Sequence, residues 1–487
     1  MARVVILGAG ISGHTAATLL KRKLGKKHEV IVVSPLANWS WIPSNIWVGV
    51  GRLKKKDVSF PLAPIYKKLG IEFKQAKGTS IHPEGDADNP SPYIDIEWTG
   101  GDKKGQKDKV SYDFLVNATG PKLNFDVTTG LGPDFFTESV CSADHAIHAY
   151  AALNKAIEKM KAGERQKILV GSGHGLCTCQ GAAFEYVFNV EYELARQGVR
   201  DMADITFITN EYELGDFGMG GAHFKRGGYF IHSKTFAESL YSERGIRWIK
   251  RAHVQKLEEG RAYFETLNGE ESFVDFDFAM LLPPFKGQNF TAFNKAGGEI
   301  TGELFAPNGF MKVDADYSSK PYEEWEPSDW PKTYQNPSYG NIFAVGIAFA
   351  PPHTISKPMK SVNGTPINPT PPRTGMPSGI MGRTVALTIS DLIKTKSKSL
   401  KATRSAPFAE MGVACVASAG ASMTRGSAAS ITMCPVVPDF KKYPKHGRSI
   451  KYTFGEIGLA GHWIKKVLHY MFIYKAKCKP GWFLIPE

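Results

Sequence analysis

The chain has 487 residues, which is enough for two or three domains with cores of their own. Its hydrophobic content of 42% and charged content of 22% are those of an ordinary globular protein. Six cysteines in so long a chain exclude a disulfide scaffold, and no apolar run reaches the roughly 18 residues of a transmembrane helix. The net charge of +13 is compatible with an anionic membrane surface or an acidic substrate. Because the basic residues form no known nucleic-acid module, we expect no nucleic-acid partner.

The N-terminal residues carry a nucleotide-binding pattern. Arg3–Leu7 is a short apolar strand, and the chain opens so directly on it that we expect no signal peptide. A GxGxxG turn follows, and its glycines allow the backbone to approach a pyrophosphate at the N-terminus of the next helix. The second strand, Glu29–Val33, is followed by a serine where an acidic ribose ligand is usual. The pattern predicts an FAD or NAD site formed by Gly8, Gly10, Ile11, Ser12, Gly13 and Ser34.

Further landmarks along the chain extend this site. A strand that ends in the residues Ala-Thr-Gly at 118–120 is typical of flavin enzymes with two dinucleotide folds, and Asn341–Gly346 has the pattern of their last nucleotide strand. The aromatic loop Trp39–Gly51 could line a flat ring system, although core packing explains it equally well. These landmarks add the cofactor-binding candidates Pro43, Ala76, Ala118, Thr119, Gly120 and Gly346.

A second strand–turn–helix segment, residues 168–185, contains two cysteines. Gly171, Gly173 and Gly175 have the spacing of a nucleotide turn, but Cys177 and Cys179 occupy the first turn of the predicted helix. The partial positive charge of a helix N-terminus stabilises a thiolate and lowers its pKa. The residues alone leave two interpretations open, a site of sulfur chemistry or a degenerate NAD site with two packing cysteines.

The C-terminal segment predicts a membrane-associating helix. Lys465 and Lys466 lie on one side of the helical pattern in residues 462–474. Further basic residues and a short apolar stretch, residues 482–485, follow this pattern. The opposite face is apolar and carries Trp463, Ile464, Val467, Leu468 and Met471. This pattern is typical of a helix that lies in a membrane interface, and docking on the protein itself or on a partner subunit is the alternative.

Together these segments resemble the two-dinucleotide-binding flavoproteins and, more narrowly, the sulfide:quinone oxidoreductases. The resemblance extends from Arg3 to the C-terminal tail. Besides the landmarks above, it rests on the loop PSNIWVG at 43–49, on Cys141 with His145, on Cys179 with Glu185, and on Arg373-Thr374-Gly375-Met376.

Such a resemblance implies that FAD accepts two electrons from sulfide through cysteine sulfurs and passes them to a membrane quinone. Oxidised sulfur then leaves as polysulfide or elemental sulfur. The resemblance implies a central role for Cys179, an auxiliary cysteine in Cys141 and a proton carrier in His145. Glu185 is a candidate general acid or base, with a structural carboxylate as the alternative. The resemblance also implies that Arg373 and Gly375 lie beside the flavin, and that the protein is a peripheral (monotopic) membrane protein and a homo-oligomer.

One position departs from the family pattern. A further redox cysteine is expected where this chain has Ala348. The partner of Cys179 is then Cys177, Cys141 or Cys415. A Cys-X-Cys pair on one helical turn makes a strained disulfide, so we favour Cys141 or Cys415 without choosing between them.

The predicted fold class is α/β, with two Rossmann-like dinucleotide-binding domains and a C-terminal membrane-associating helical region. We assign residues 1–125 and 315–395 to the FAD-binding domain, 126–314 to the cysteine-bearing domain and 396–487 to a quinone and membrane region. Asn210-Glu211 is a poor substitute for a ribose ligand, which argues against NAD(P)H as electron donor. No metal site is predicted. The alternatives are a type 2 NADH:quinone dehydrogenase, the flavoprotein subunit of a cytochrome-linked sulfide dehydrogenase, and a non-enzymatic flavin redox sensor.

Overall fold

The computed structural model describes residues 1–487 apart from residues 179, 227, 373, 397–398 and 420–426. The longer helices are Ile11–Leu24, Ala63–Leu69, Ala143–Lys161, Gln180–Arg196, Ser233–Glu243, Gly375–Thr395 and Leu459–Ala476. Short helices cover Asn45–Val48, Lys55–Val58 and Thr301–Leu304.

The first sheet is parallel and contains the N-terminal strand at its centre. Apolar residues fill its strands because both faces are covered. Its strand order is Ile342–Ala344, Phe114–Asn117, Arg3–Leu7, Glu29–Val33 and Glu72–Lys74. Helix Ile11–Leu24 packs on this sheet and crosses helix Gly375–Thr395 closely. The close crossing requires a glycine, because a Cβ at Gly382 would lie 2.4 Å from the Ser12 carbonyl oxygen.

The second sheet is also parallel and is formed by the middle of the chain. Its strand order is Arg247–Ile249, Ala203–Ile208, Gln166–Ser172 and Phe278–Leu282. Two parallel sheets of this kind, each with its own strand–turn–helix unit, confirm the predicted α/β class. The domain boundaries assigned above stay predictions.

The C-terminal residues form a separate antiparallel sheet, with strands Val413–Ala419, Ser427–Met433 and Phe454–Gly458. Helix Leu459–Ala476 packs on it, and helix Gln180–Arg196 packs on its first strand. The remaining sheets are small. The antiparallel ones pair Asn38–Ser40 with Ser59–Pro61; Lys122–Leu123 with Phe285–Lys286; His223–Arg226 with Tyr229–His232; and Ala252–Glu258, Arg261–Thr266 and Glu271–Asp275. A mixed sheet contains the antiparallel strands Ala76–His82, Tyr93–Trp98 and Lys107–Ser111, and Thr291–Ala292 joins it in parallel with Ala76–His82.

Candidate active site

The nucleotide-binding candidates gather at the carboxyl edge of the first sheet. Parallel strands end at one edge, so the residues that follow them, Gly8, Ser34, Ala118 and Gly346, meet there. A Cβ at Gly8 would lie 2.3 Å from the Ala118 carbonyl oxygen, and Gly8 has a φ of +92°. Both facts require glycine at this turn. A Cβ at Gly13 would lie 2.1 Å from the Gly8 carbonyl oxygen, so the last motif glycine permits the tight helix–strand packing.

The same edge fits the phosphates and ring of FAD. Gly10 caps helix Ile11–Leu24 without a side-chain hydrogen bond among the described residues, and no described atom beyond its chain neighbours lies within 4 Å of the position that a Cβ would occupy on it. The first helical turn carries no acidic side chain, so its amides suit an anion. At the N-terminus of helix Gly375–Thr395, the Thr374 hydroxyl is buried with no partner among the residues that the structure describes. A buried polar atom of this kind is explained by a bound polar group.

The second nucleotide turn is closed by the protein's own chain. The Asn368 amide donates to the Gly175 carbonyl at 2.9 Å, and the Thr370 amide donates to the Cys177 carbonyl at 3.1 Å. The Asn210 side chain donates to the same two carbonyls, at 2.9 and 3.2 Å. His253 accepts from the Gly175 amide at 2.9 Å. The Gly175 and Cys177 carbonyls and the Gly175 amide are therefore satisfied by the protein's own chain, and the segment around Asn368 lies against this turn.

The candidate sulfur residues occupy different surroundings. Cys179 and Arg373 lie outside the described residues. The Cys177 thiol is fully buried and donates to the Leu282 carbonyl at 2.9 Å. The Cys415 sulfur lies 3.1 Å from where a Cβ would stand on Gly181, in the first turn of helix Gln180–Arg196. The sequence left the partner of Cys179 open between Cys141 and Cys415, and that choice stays a prediction.

Cys141 and His145 are brought together by Ser139. The Cys141 amide donates to the Ser139 hydroxyl at 3.2 Å, and His145 Nδ1 lies 3.3 Å from the same hydroxyl. Both residues are half-buried, and burial lowers the pKa of His145. Their predicted roles stay predictions.

Glu185 lies at the centre of a buried polar network that the sequence did not reveal. Its carboxylate accepts from the Ser418 amide at 3.0 Å and from the Ser418 hydroxyl at 2.6 Å, and it forms an ion pair with Lys465 at 2.8 Å. The Trp47 indole donates to the Ser418 hydroxyl at 2.8 Å. Glu185 thus joins the cysteine-bearing helix to the C-terminal sheet and to the C-terminal helix.

A cavity of about 310 Å³ lies beside this network. Its wall combines the start of helix Ile11–Leu24, the start of helix Gly375–Thr395, the strand Val413–Ala419 and the C-terminal helix. Residues on its wall include Ile11, Trp39, Pro43, Gly375, Ala414, Val416, Lys465, His469, Phe472 and Lys475. Trp39 is buried and its indole N–H has no acceptor among the described residues. The predicted cofactor residues Ile11, Pro43 and Gly375 therefore meet at this cavity.

The C-terminal helix has its polar side inside the protein. His462, Lys465, His469 and Lys475 are buried. Its exposed large hydrophobic side chains are Leu459, Trp463, Ile464, Val467, Tyr470 and Tyr474. A helix whose apolar face points outward is the reverse of an ordinary surface helix. Among the described residues, no helix is long and apolar enough to cross a membrane. Lys465 and His469, four residues apart, form a polar stripe that the sequence pattern could have revealed.

The chain has two parallel sheets, each with a strand that is followed by a glycine-rich turn and a helix. The turn of the first sheet is open, whereas the chain itself bonds to the turn of the second. This architecture defines a flavoprotein with two dinucleotide-binding folds. The structure of the sulfide:quinone oxidoreductase from Aquifex aeolicus superposes with a TM-score of 0.74 and 27% identity, covering 98% of this chain and 92% of that one. NDH2 from Plasmodium falciparum in complex with NADH shares the fold, with a TM-score of 0.63 and 15% identity over 99% of this chain and 97% of that one.

Sequence comparison identifies the family within this class of flavoproteins. The sulfide-quinone reductase of Aquifex aeolicus is 31% identical over 391 residues, 80% of this chain and 76% of the relative. The mitochondrial sulfide:quinone oxidoreductase of Dictyostelium discoideum is 23% identical over 71% of this chain and 64% of its own length. No family model matches the chain. The chain belongs to the sulfide:quinone oxidoreductase family, an FAD-dependent family of oxidoreductases.

Proposed function

We propose that this protein oxidises sulfide and transfers the electrons to a membrane quinone. The observation that carries the proposal is the closed second nucleotide turn, because an enzyme that cannot seat a dinucleotide there needs another electron donor. Bound sulfur next to the cysteine-bearing helix is that donor. FAD, when bound at the first nucleotide edge, supplies a two-electron carrier between donor and quinone. The NADH-oxidising alternative loses support for the same reason.

Cys179 and Cys415 are the proposed sulfur-handling pair. Hydrosulfide attacks a disulfide or persulfide sulfur and a thiolate leaves, so the reaction needs two sulfurs within bonding reach. Cys415 lies against Gly181, two residues after Cys179 in the sequence. We therefore assign to Cys415 the role of the redox cysteine that the family pattern places at position 348, where this chain has alanine. Cys141 and His145 are proposed as an auxiliary thiol and proton carrier.

The part of the cavity that helix Leu459–Ala476 lines is the proposed quinone site, next to the part lined by the FAD-binding candidates Ile11, Pro43 and Gly375. Its wall is mostly apolar, and the buried Trp39 indole offers a hydrogen bond to a carbonyl oxygen. Lys465, which Glu185 holds in position, presents a cation to the developing negative charge of the reduced ring. We assign Glu185 this positioning role beside its predicted acid or base role.

The outward face of the C-terminal helix is the proposed membrane contact. Ile464, Val467 and Tyr470 are 50%, 57% and 66% exposed, and Lys466 and Lys479 lie nearby in the sequence. Apolar and aromatic side chains with flanking lysines suit an interface helix on anionic lipid. A quinone could then pass from the bilayer to the cavity on the inner side of the same helix. A peripheral (monotopic) attachment, a homo-oligomeric state and the four-part domain division complete the proposal.

Anaerobic titration of the purified holoprotein tests this function. Sulfide should bleach the flavin absorbance, decylubiquinone should restore it, and NADH should leave it unchanged. Cys179→Ser should abolish bleaching by sulfide while FAD stays bound. Bleaching by NADH but not by sulfide would instead identify an NADH dehydrogenase.

A further inference from the structure

The cavity is lined by more titratable groups than an apolar quinone site needs. Two of them are lysines that remain cations, each paired with a buried carboxylate. Lys465 forms its ion pair with Glu185, and Lys475 forms one with Glu487 at 2.8 Å. All four side chains are about nine-tenths buried. Each pair is held by its burial, because separating the two partners would leave a buried charge uncompensated, which is costly.

Two histidines line the same cavity, and they differ in how their ring nitrogens are used. His14 donates from Nε2 to the Ala476 carbonyl at 2.8 Å and accepts at Nδ1 from the Tyr66 hydroxyl at 3.0 Å. Burial lowers its pKa to about 4, so His14 is a neutral, fully bonded ring. His469 Nδ1 lies 2.9 Å from the Ser44 hydroxyl. Within the part of the chain that the structure describes, no partner faces its Nε2.

We propose that His469 is a proton donor to the quinone, oriented by Ser44. The inference rests on the proposed function, because it needs a quinone in the cavity. Reduction of a quinone to its quinol adds two electrons, supplied by sulfide oxidation, and two protons. In the proposed step the Nε2–H bond of the imidazolium breaks and an O–H bond forms on one quinone oxygen. The neutral imidazole regains its proton from water, and water supplies the second proton.

The surroundings of His469 suit this task. Its ring packs near Trp47, with ring centroids 5.9 Å apart, and the Ser44 bond fixes the ring plane. The charged groups that act on it are Asp57, from the helix Lys55–Val58, and Lys465 on its own helix. Burial lowers the pKa of His469, Asp57 opposes this shift and Lys465 adds to it. An imidazolium with a lowered pKa is a stronger proton donor to a nearby oxyanion.

Substitution of His469 tests the proposal because glutamine keeps a hydrogen bond but cannot transfer a proton. In His469→Gln, kcat with decylubiquinone should fall by about 10²-fold, the range of a lost general acid, with little change in KM. Bleaching by sulfide, and turnover with ferricyanide, which accepts electrons without protons, should be retained. Ser44→Ala should give a smaller loss of kcat. In the wild type, kcat with the quinone should fall as the pH rises, and this dependence should disappear in His469→Gln.

His462 offers a matched control on the same helix. It is a buried histidine that does not line the cavity, so His462→Gln should keep the wild-type kcat. Because His469→Ala could lose packing, added imidazole provides a second measurement and should restore part of its quinone turnover. A wild-type kcat in His469→Gln, or an effect confined to KM, would overturn the assignment. Failure of the wild-type protein to reduce quinone at all would instead refute the proposed function.

Discussion

Replacing Glu185 by glutamine should destabilise the contact between the cysteine-bearing helix and the C-terminal helix. Glu185 and Lys465 are only 6% and 10% exposed, so the lysine would remain as an unpaired charge in a dry site. Breaking a buried pair from one side costs about 3–5 kcal/mol. Glutamine can still accept the hydrogen bonds from Ser418, so we expect the lower end of that range. At about 2.1 cal/mol/K of unfolding entropy per residue, a chain of 487 residues loses about 1 °C per kcal/mol, so the thermal midpoint should fall by about 3 °C.

Thermal unfolding of the holoprotein, followed by tryptophan fluorescence, measures this effect. The double variant Glu185→Gln/Lys465→Met should recover most of the loss, because it removes the orphaned charge as well. Glu158→Gln is the control, since the ion pair of Glu158 with Lys161 is solvent-exposed and should contribute below about 1 kcal/mol. A melting temperature for Glu185→Gln equal to that of the wild type would refute the reasoning.

Three further predictions concern Cys415, the exposed face of the C-terminal helix and the buried Glu211. Cys415→Ser should abolish steady-state sulfide oxidation, whereas Cys434→Ser, at a half-buried cysteine outside the proposed site, should retain it; both are measured as decylubiquinone reduction. Ile464→Ser/Tyr470→Ser should lower binding to anionic liposomes by about tenfold or more with an unchanged melting temperature, because two exposed apolar side chains are lost. Burial raises the pKa of Glu211 from 4.5 to about 8, so the folded protein binds the extra proton and loses stability as the pH rises between these values. Glu211→Gln should flatten that slope in urea unfolding measured from pH 5 to about 8, and an unchanged slope would contradict the assignment.

Local patterns in the sequence were sufficient to predict the two nucleotide folds. A strand, a glycine turn and a helix are contiguous in the chain, so Arg3–Leu7 and the turn after it could be identified from spacing alone. The Glu185 network could not be predicted, because Glu185, Ser418 and Lys465 come from distant segments and meet only through tertiary packing. The closure of the second turn by Asn368 depends on such packing too. The helical pattern predicted two faces for the tail, but only the fold shows that the cationic face is inside.

The strand Val413–Ala419 separates helix Gln180–Arg196 from the cavity. Side chains alternate along a strand, so Cys415 faces the cysteine-bearing helix while its neighbours Ala414 and Val416 face the cavity. Insertion or deletion of a single residue just before Cys415 would exchange the two sides and turn the thiol toward the cavity. The register of this strand with Ser427–Met433 thus keeps the Cys415 thiol against the cysteine-bearing helix and out of the cavity.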